Sequence, residues 1–273
     1  MVKKIQTIAA SALLSIVAAI TAFAQHGLEG ATPMTFFVTS KPIGDGGNLG
    51  GLTGADVHCQ VLAENVGAGG RTWQAYLSTQ ARPGVPAVNA RDRIGTGPWH
   101  NFEGVMIARD VAHLHGDTIE LARLGNNLTK RTGLTEKGQI VPGLNDYKDS
   151  EVAARATAAA QGNEWEYPRL TFYSNRHEVL TGSQLDGTAY PPELDYTCDN
   201  WTSSVDPVEG APRVHGVMGR GLYPGRPNAQ IGFPDRNGGG DGSWNSSHGT
   251  RGCSQTALAI THGVGKLYCF AID

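Results

Sequence analysis

The stretch Thr53-Gly54-Ala55-Asp56-Val57-His58-Cys59-Gln60-Val61-Leu62-Ala63-Glu64-Asn65-Val66 places a cysteine inside an amphipathic helix. Thr53 stands where a helix cap belongs, with Asp56 three residues on. Val57, Val61 and Leu62 fall on one helical face, with Cys59 near its edge. Gly67 and Gly69-Gly70 then stop the helix. Outward from it, Met34 to Ser40 and Thr72 to Ser78 read as strands from their β-branched and aromatic content. Lys266-Leu267-Tyr268-Cys269-Phe270-Ala271-Ile272 reads as a terminal strand carrying a second cysteine. A helix between strands, with short strands elsewhere, predicts an α+β fold.

The chain has four cysteines, Cys59, Cys198, Cys253 and Cys269. Ahead of them, Lys3 and Lys4 precede an apolar run from Ile8 to Ile20, and Ala22-Phe23-Ala24 follows. That order is the pattern of a secretory signal peptide, so residues 1–24 are expected to be removed after Ala24. Export places the chain outside the cytoplasm, in a secreted, extracellular or periplasmic setting where disulfides persist. Four cysteines allow three connectivities.

Of the 273 residues, 37 are glycine and 14 proline. They occur as turn signals such as Gly44-Asp45-Gly46-Gly47 and Asn237-Gly238-Gly239-Gly240, so much of the chain is expected to be ordered loop. A formal charge of −3, with no block of basic residues, argues against nucleic acid as a partner. Beyond the leader no segment approaches the length of a membrane span. The expectation is a short tail over 25–33, then one domain over 34–273 with insertions near 110–170 and 205–250. The alanine-rich run 153–160 belongs to the first insertion.

The order of these pieces resembles the C-type-lectin-like fold, and most closely the endostatin-like C-terminal domain of collagens XV and XVIII. Gly54 to Cys59, Gly70 to Ser78, Val85 to Asp92 and Pro98-Trp99 match in sequence order. Val179 to Ser183, Asp195 to Thr202, Gly252-Cys253-Ser254 and Leu267-Tyr268-Cys269 complete the set. The resemblance implies nested disulfides, Cys59 to Cys269 and Cys198 to Cys253. It implies no collagen role, because no collagen segment is present. The histidine cluster of the endostatin-type zinc site is missing, since the mature start offers only His26.

Candidate sites each have a structural alternative. On a strand, His113, His115 and Asp117 would face one way, and two imidazoles with a carboxylate form a zinc-type ligand set. The alternative is a polar edge face. Gln184-Leu185-Asp186 and Trp244-Asn245-Ser246 are incomplete forms of the two calcium motifs of sugar-binding lectins. They lack the proline and the final aspartate, so a structural turn is the stronger reading. Asp45, Asn48, Asp92, Asp186, Asp199 and Asp241 sit in loops where a structural calcium would act as glue. Trp201, Arg220, Arg226, Trp244 and Asn245 are candidate ligand-contacting loop residues, set against the reading that large aromatics anchor loops. Ser254 and His248 flank Cys253 without a nucleophile elbow.

These residues point to a non-enzymatic binding module for a protein, polysaccharide or cell-envelope component. A self-associating structural subunit is the first alternative, and a metal-dependent hydrolase built on His113, His115 and Asp117 the second.

Overall fold

The computed structural model describes residues 33–143, 146, 160–161, 175–208, 227–235 and 242–273, and the backbone alone at 214–215 and 222–223. The expected leader, the alanine-rich run, Arg220, Arg226 and Asp241 lie outside the described residues, apart from position 160.

In chain order the elements are β1 (Phe36–Val38), α1 (Gly51–Glu64), β2 (Trp73–Ala75), β3 (Trp99–His100) and β4 (Met106–Ala108). Next come α2 (Val111–His115), α3 (Ile119–Leu124), β5 (Glu178–Leu180), β6 (Val214–His215), β7 (Leu222–Tyr223) and β8 (Gln230–Gly232). The chain closes with β9 (His248–Gly249), α4 (Gln255–Ile260), β10 (Gly263–Lys266) and β11 (Tyr268–Ala271). This is a mixed α+β fold, with sheets of two to four strands among the described residues and none closed into a barrel.

The first sheet runs β1-β11-β2, all antiparallel. Phe37 pairs with Cys269, and Cys269 with Ala75. Side chains alternate along a strand, so Phe37, Cys269, Ala75 and Leu77 enter one core with Trp73, Leu62 and Cys59. Phe36, Val38, Tyr268, Phe270 and Tyr76 enter the other, with Trp99, Ile107 and Leu114. This alternation aims Cys269 at α1, where Cys59 meets it in a disulfide.

The buried residues of α1 are Ala55, Cys59, Leu62 and Ala63. Val57 and Val61 face solvent, which corrects the expected apolar face. Thr53 does not cap the helix, which starts at Gly51 behind a left-handed Gly50. Asp56 acts instead on the sheet: it accepts the Ala75 N–H at 2.9 Å and pairs with Arg93 at 2.6 Å. Gln60 accepts the Trp73 N–H at 3.1 Å. The open edge of β2 is thus closed by side chains of the helix rather than by another strand.

The second sheet runs β10-β5-β8-β9, with β10 and β5 parallel and the other pairs antiparallel. A second disulfide joins Cys198 to Cys253. No free cysteine occurs among the described residues. Gly47 lies so close that a Cβ there would stand 2.6 Å from the Cys198 Sγ. No helix among the described residues is long and apolar enough to cross a membrane.

Candidate functional site

The segment expected to present His113, His115 and Asp117 on one strand face is helix α2, capped by the Asp110 carboxylate at the His113 N–H. His113 is held at both ring nitrogens by backbone. Nδ1 accepts the Arg109 N–H at 3.2 Å and Nε2 donates to the Gly125 carbonyl at 2.9 Å. His115 has the opposite tautomer. Its Nδ1 faces the Val111 carbonyl at 2.9 Å and must donate. Its Nε2 meets the Tyr76 hydroxyl at 2.8 Å. Asn245 Nδ2 donates to that same hydroxyl at 2.9 Å, so the phenol proton goes to His115. Burial holds His115 neutral and draws its pKa down to about 4. Asp117 pairs with Arg91. The expected ligand set is therefore corrected: helical geometry separates the side chains, and their donor atoms are engaged within the protein. Among the described residues no group of three or more His, Cys, Asp or Glu is placed to hold a metal.

The candidate ligand-contacting residues go largely to the interior. Trp201 is fully buried and donates from Nε1 to the Ser78 carbonyl at 2.7 Å. Trp244 and Asn245 are buried at 5% and 1% exposure. Trp244 packs on Tyr76, His115 and Tyr268, and its carbonyl accepts the Tyr268 hydroxyl at 2.7 Å. Asn245 Nδ2 also reaches the Gln184 and Leu185 carbonyls, each at 3.1 Å. These residues fasten loops to the core from beneath, which corrects the expectation that they face a ligand. Asp186 accepts from both the N–H and the hydroxyl of Thr188. Asp45 and Asp92 accept from Asn48 and Asn89.

The loop from Tyr190 to Trp201 turns residues 191–194 and Asp199 outward and buries its end at Thr197, Cys198 and Trp201. Its last four residues, Cys198, Asp199, Asn200 and Trp201, have φ of 49°, 59°, 54° and 68°. They form one left-handed helical turn, a conformation that costs L-residues on the order of 1–2 kcal/mol each. The surroundings enforce it. Asn200 Oδ1 accepts the Gln80 N–H at 2.8 Å while its Nδ2 donates to the Gln80 carbonyl at 3.0 Å. The Gln80 side chain in turn donates to the Pro191 and Leu194 carbonyls and accepts the Tyr196 N–H at 2.7 Å. Asp195 accepts the Thr197 and Asp199 N–H groups, each at 2.8 Å. The Cys198–Cys253 disulfide and buried Trp201 anchor the end.

On this base Pro191, Pro192, Glu193 and Leu194 stand exposed. Beside them the hairpin bridged by Thr79 and Val88 exposes residues 82–87. An Arg82–Asp199 ion pair at 2.6 Å joins the two. Proline at 83, 86, 191 and 192 and the side-chain straps leave this surface little freedom to lose on binding. Sequence reading missed Gln80, which carries no motif. The Asp195-Tyr196-Thr197 run, able to fold back on its own backbone, was the one available signal for the turn.

A second polar centre lies within the four-stranded sheet. Glu178 is buried, accepts the Thr261 hydroxyl at 2.8 Å and faces His248 Nε2 at 3.4 Å. Burial raises its pKa well above the usual carboxylate range, and the Thr261 hydrogen bond opposes that rise. His177 meets Asp235 at 2.9 Å and stacks on Phe233 at 4.3 Å. Ser254 caps α4 and donates to Asp206 at 2.6 Å, while His248 turns toward Glu178. Neither serves the other as nucleophile and base.

No protein-family model matches this sequence, and no curated protein matches it significantly.

Proposed function

We propose that this chain is an exported, non-enzymatic binding module of the C-type-lectin-like, endostatin-like type. Its recognition surface is the loop 190–196 with the adjoining hairpin tip 82–87. The nested pairing of Cys59 with Cys269 and Cys198 with Cys253 supports the fold reading, because it is the connectivity that the resemblance implies. The left-handed turn at Cys198–Trp201 carries the functional reading. Backbone strain persists where surrounding structure over-determines it, and such places cluster at ligand contacts. Here the strained turn supports an exposed, proline-rich surface.

The test immobilises the mature protein over purified envelope proteins and polysaccharides from its source. Two surface variants, Leu194→Glu and Val85→Glu, are compared with wild type; both positions are exposed, at 41% and 57%. Loss of a specific partner in both, with unchanged thermal stability, supports the surface. A partner held equally by all three proteins places recognition elsewhere. N-terminal sequencing of the exported protein tests the leader, with Gln25 the expected first residue.

Self-association is favoured by a different observation. Phe102, Val105 and Met106 of the β3–β4 hairpin, with Ile119 and Leu124 of α3, are exposed apolar side chains. Native mass spectrometry separates a monomeric binder from an assembly.

A further inference from the structure

Strands β8 and β9 pair Gln230 with Gly249 and Ile231 with His248. Side-chain alternation then sets Asn228, Gln230 and Ser247 on one face of the sheet, opposite Ala229, Ile231 and Phe233. All three are fully buried. Asn228 Nδ2 and Oδ1, Gln230 Oε1 and Ser247 Oγ have no hydrogen-bond partner among the described residues. Native proteins leave few such atoms, and each costs stability when left unmade. Four on one face is a concentrated cost. Gly249 lets the strands approach closely here, since a Cβ there would lie 2.8 Å from Asn228 Nδ2.

A polar path leads away from this face. Gln230 Nε2 donates to Ser246 Oγ at 3.4 Å, and Ser246 Oγ meets the Tyr190 hydroxyl at 3.1 Å. Tyr190 is half-buried and stacks on Tyr196, with ring centroids 3.9 Å apart. The set therefore combines amide donors and acceptors, hydroxyls and an aromatic pair, with no charged side chain among them.

We propose that this face is a calcium-independent contact site for the terminal hydroxyl groups of a neutral saccharide, a reading that rests on the chain being a binding module. A hydroxyl both donates and accepts, which suits an unpaired amide beside an unpaired hydroxyl. The absence of charge in the set disfavours sulfated or phosphorylated ligands. The three side chains are reached only by local opening, whereas the half-buried tyrosine pair at the end of the polar path offers a ligand an apolar face.

A group kept unsatisfied for a ligand destabilises the free protein. The experiment titrates a panel of neutral mono- and disaccharides into the mature protein in EDTA, by calorimetry and thermal shift. Ser247→Ala and Gln230→Met are measured beside wild type. Expected is a saccharide that binds wild type and loses about tenfold in affinity in Ser247→Ala, the loss of one hydrogen bond. Unliganded Ser247→Ala is expected to melt a few degrees higher than wild type. Three results overturn the site: no neutral saccharide binds, binding survives both substitutions, or unliganded Ser247→Ala melts lower, which marks an ordered water as the partner. A protein partner lost in Leu194→Glu while no saccharide binds refutes this site and leaves the binding-module reading standing.

Discussion

The side-chain amide of Asn200 pairs with the backbone of Gln80 through both of its polar atoms, at 2.8 and 3.0 Å, across 120 residues of sequence. It occupies the place of a neighbouring strand at Gln80. The same residue sits at φ 54°, where asparagine is among the better-tolerated L-residues. Local preference and long-range pairing therefore select the same side chain.

Asn200→Ala removes both bonds and leaves the Gln80 N–H and carbonyl without their partner. Expected is a loss of about 2–4 kcal/mol in denaturant unfolding under non-reducing conditions. Asn200→Gly keeps the backbone freedom and loses only the bonds, so it should fall between alanine and wild type. Equal stability of all three proteins would show that the disulfide alone holds the turn.

Much of the frame was legible. Cys269 in a continuous apolar run and Cys59 in a helix are positions that burial decides, and burial follows hydrophobic pattern. The α1 face was misread because two valines outweighed Ala55 and Ala63 in the pattern, yet a close helix–sheet contact favours the small residues. The His113–Asp117 segment was misread as a strand because a five-residue helix is too short to show its period; Asp110 and Gly116, its cap and stop, were the missed signal. The strapped loop was legible only in its Asp195-Tyr196-Thr197 run. Its shape depends on Gln80 meeting Asn200, and hydrogen bonds between distant polar residues leave no periodic trace.

Both disulfides are buried, with all four cysteines at 0% exposure. Native protein is expected to resist mild reductant and to yield its thiols only as it unfolds globally, which alkylation and mass spectrometry can follow. The loops closed span 210 and 55 residues of sequence. On the chain-entropy account the longer contributes at most about 5.4 kcal/mol and the shorter about 4.2 kcal/mol. The Cys198→Ser/Cys253→Ser pair should also free the left-handed turn, so it should abolish any partner binding that Cys59→Ser/Cys269→Ser retains at a permissive temperature. Reduction of either bridge at native thermal stability would contradict the burial argument.

His115 makes folding sensitive to mild acid. Its folded pKa is drawn to about 4 from 6.5, chiefly by burial. The unfolded chain therefore takes up a proton first as pH falls. Stability is full above about pH 6.5, declines between 6.5 and 4, and levels off below. The loss attributable to this group is about 3 kcal/mol. His115→Gln should flatten that part of the stability profile, at the expense of stability at pH 7. A wild-type profile that stays level from pH 7 to 4.5 would mean that His115 is not held neutral. Nitrogen NMR should show a proton on Nδ1 of His115 and on Nε2 of His113.

Glu178 has the opposite sign. Its folded pKa lies above the unfolded value of 4.5, so stability is present in acid and is lost as pH rises above 4.5, where the unfolded chain ionises first. The geometry names the proton's place. His248 Nδ1 faces the Gly249 carbonyl at 3.1 Å, which fixes its proton there. With a neutral imidazole, Nε2 turns its lone pair toward Glu178, and the Thr261 hydroxyl donates to the other carboxyl oxygen. The pair needs a proton between Glu178 and His248, and a glutamine supplies one permanently. Glu178→Gln is therefore expected to match wild type at pH 4 and to exceed it by about 1–2 kcal/mol at pH 8. Glu178→Ala, which removes the carboxyl group from between Thr261 and His248 and opens a cavity, should lose about 2–4 kcal/mol at either pH. If glutamine instead weakens the protein at pH 8 as much as alanine does, the carboxylate is ionised against a cationic His248, and the sheet is held by a buried ion pair rather than by a shared proton.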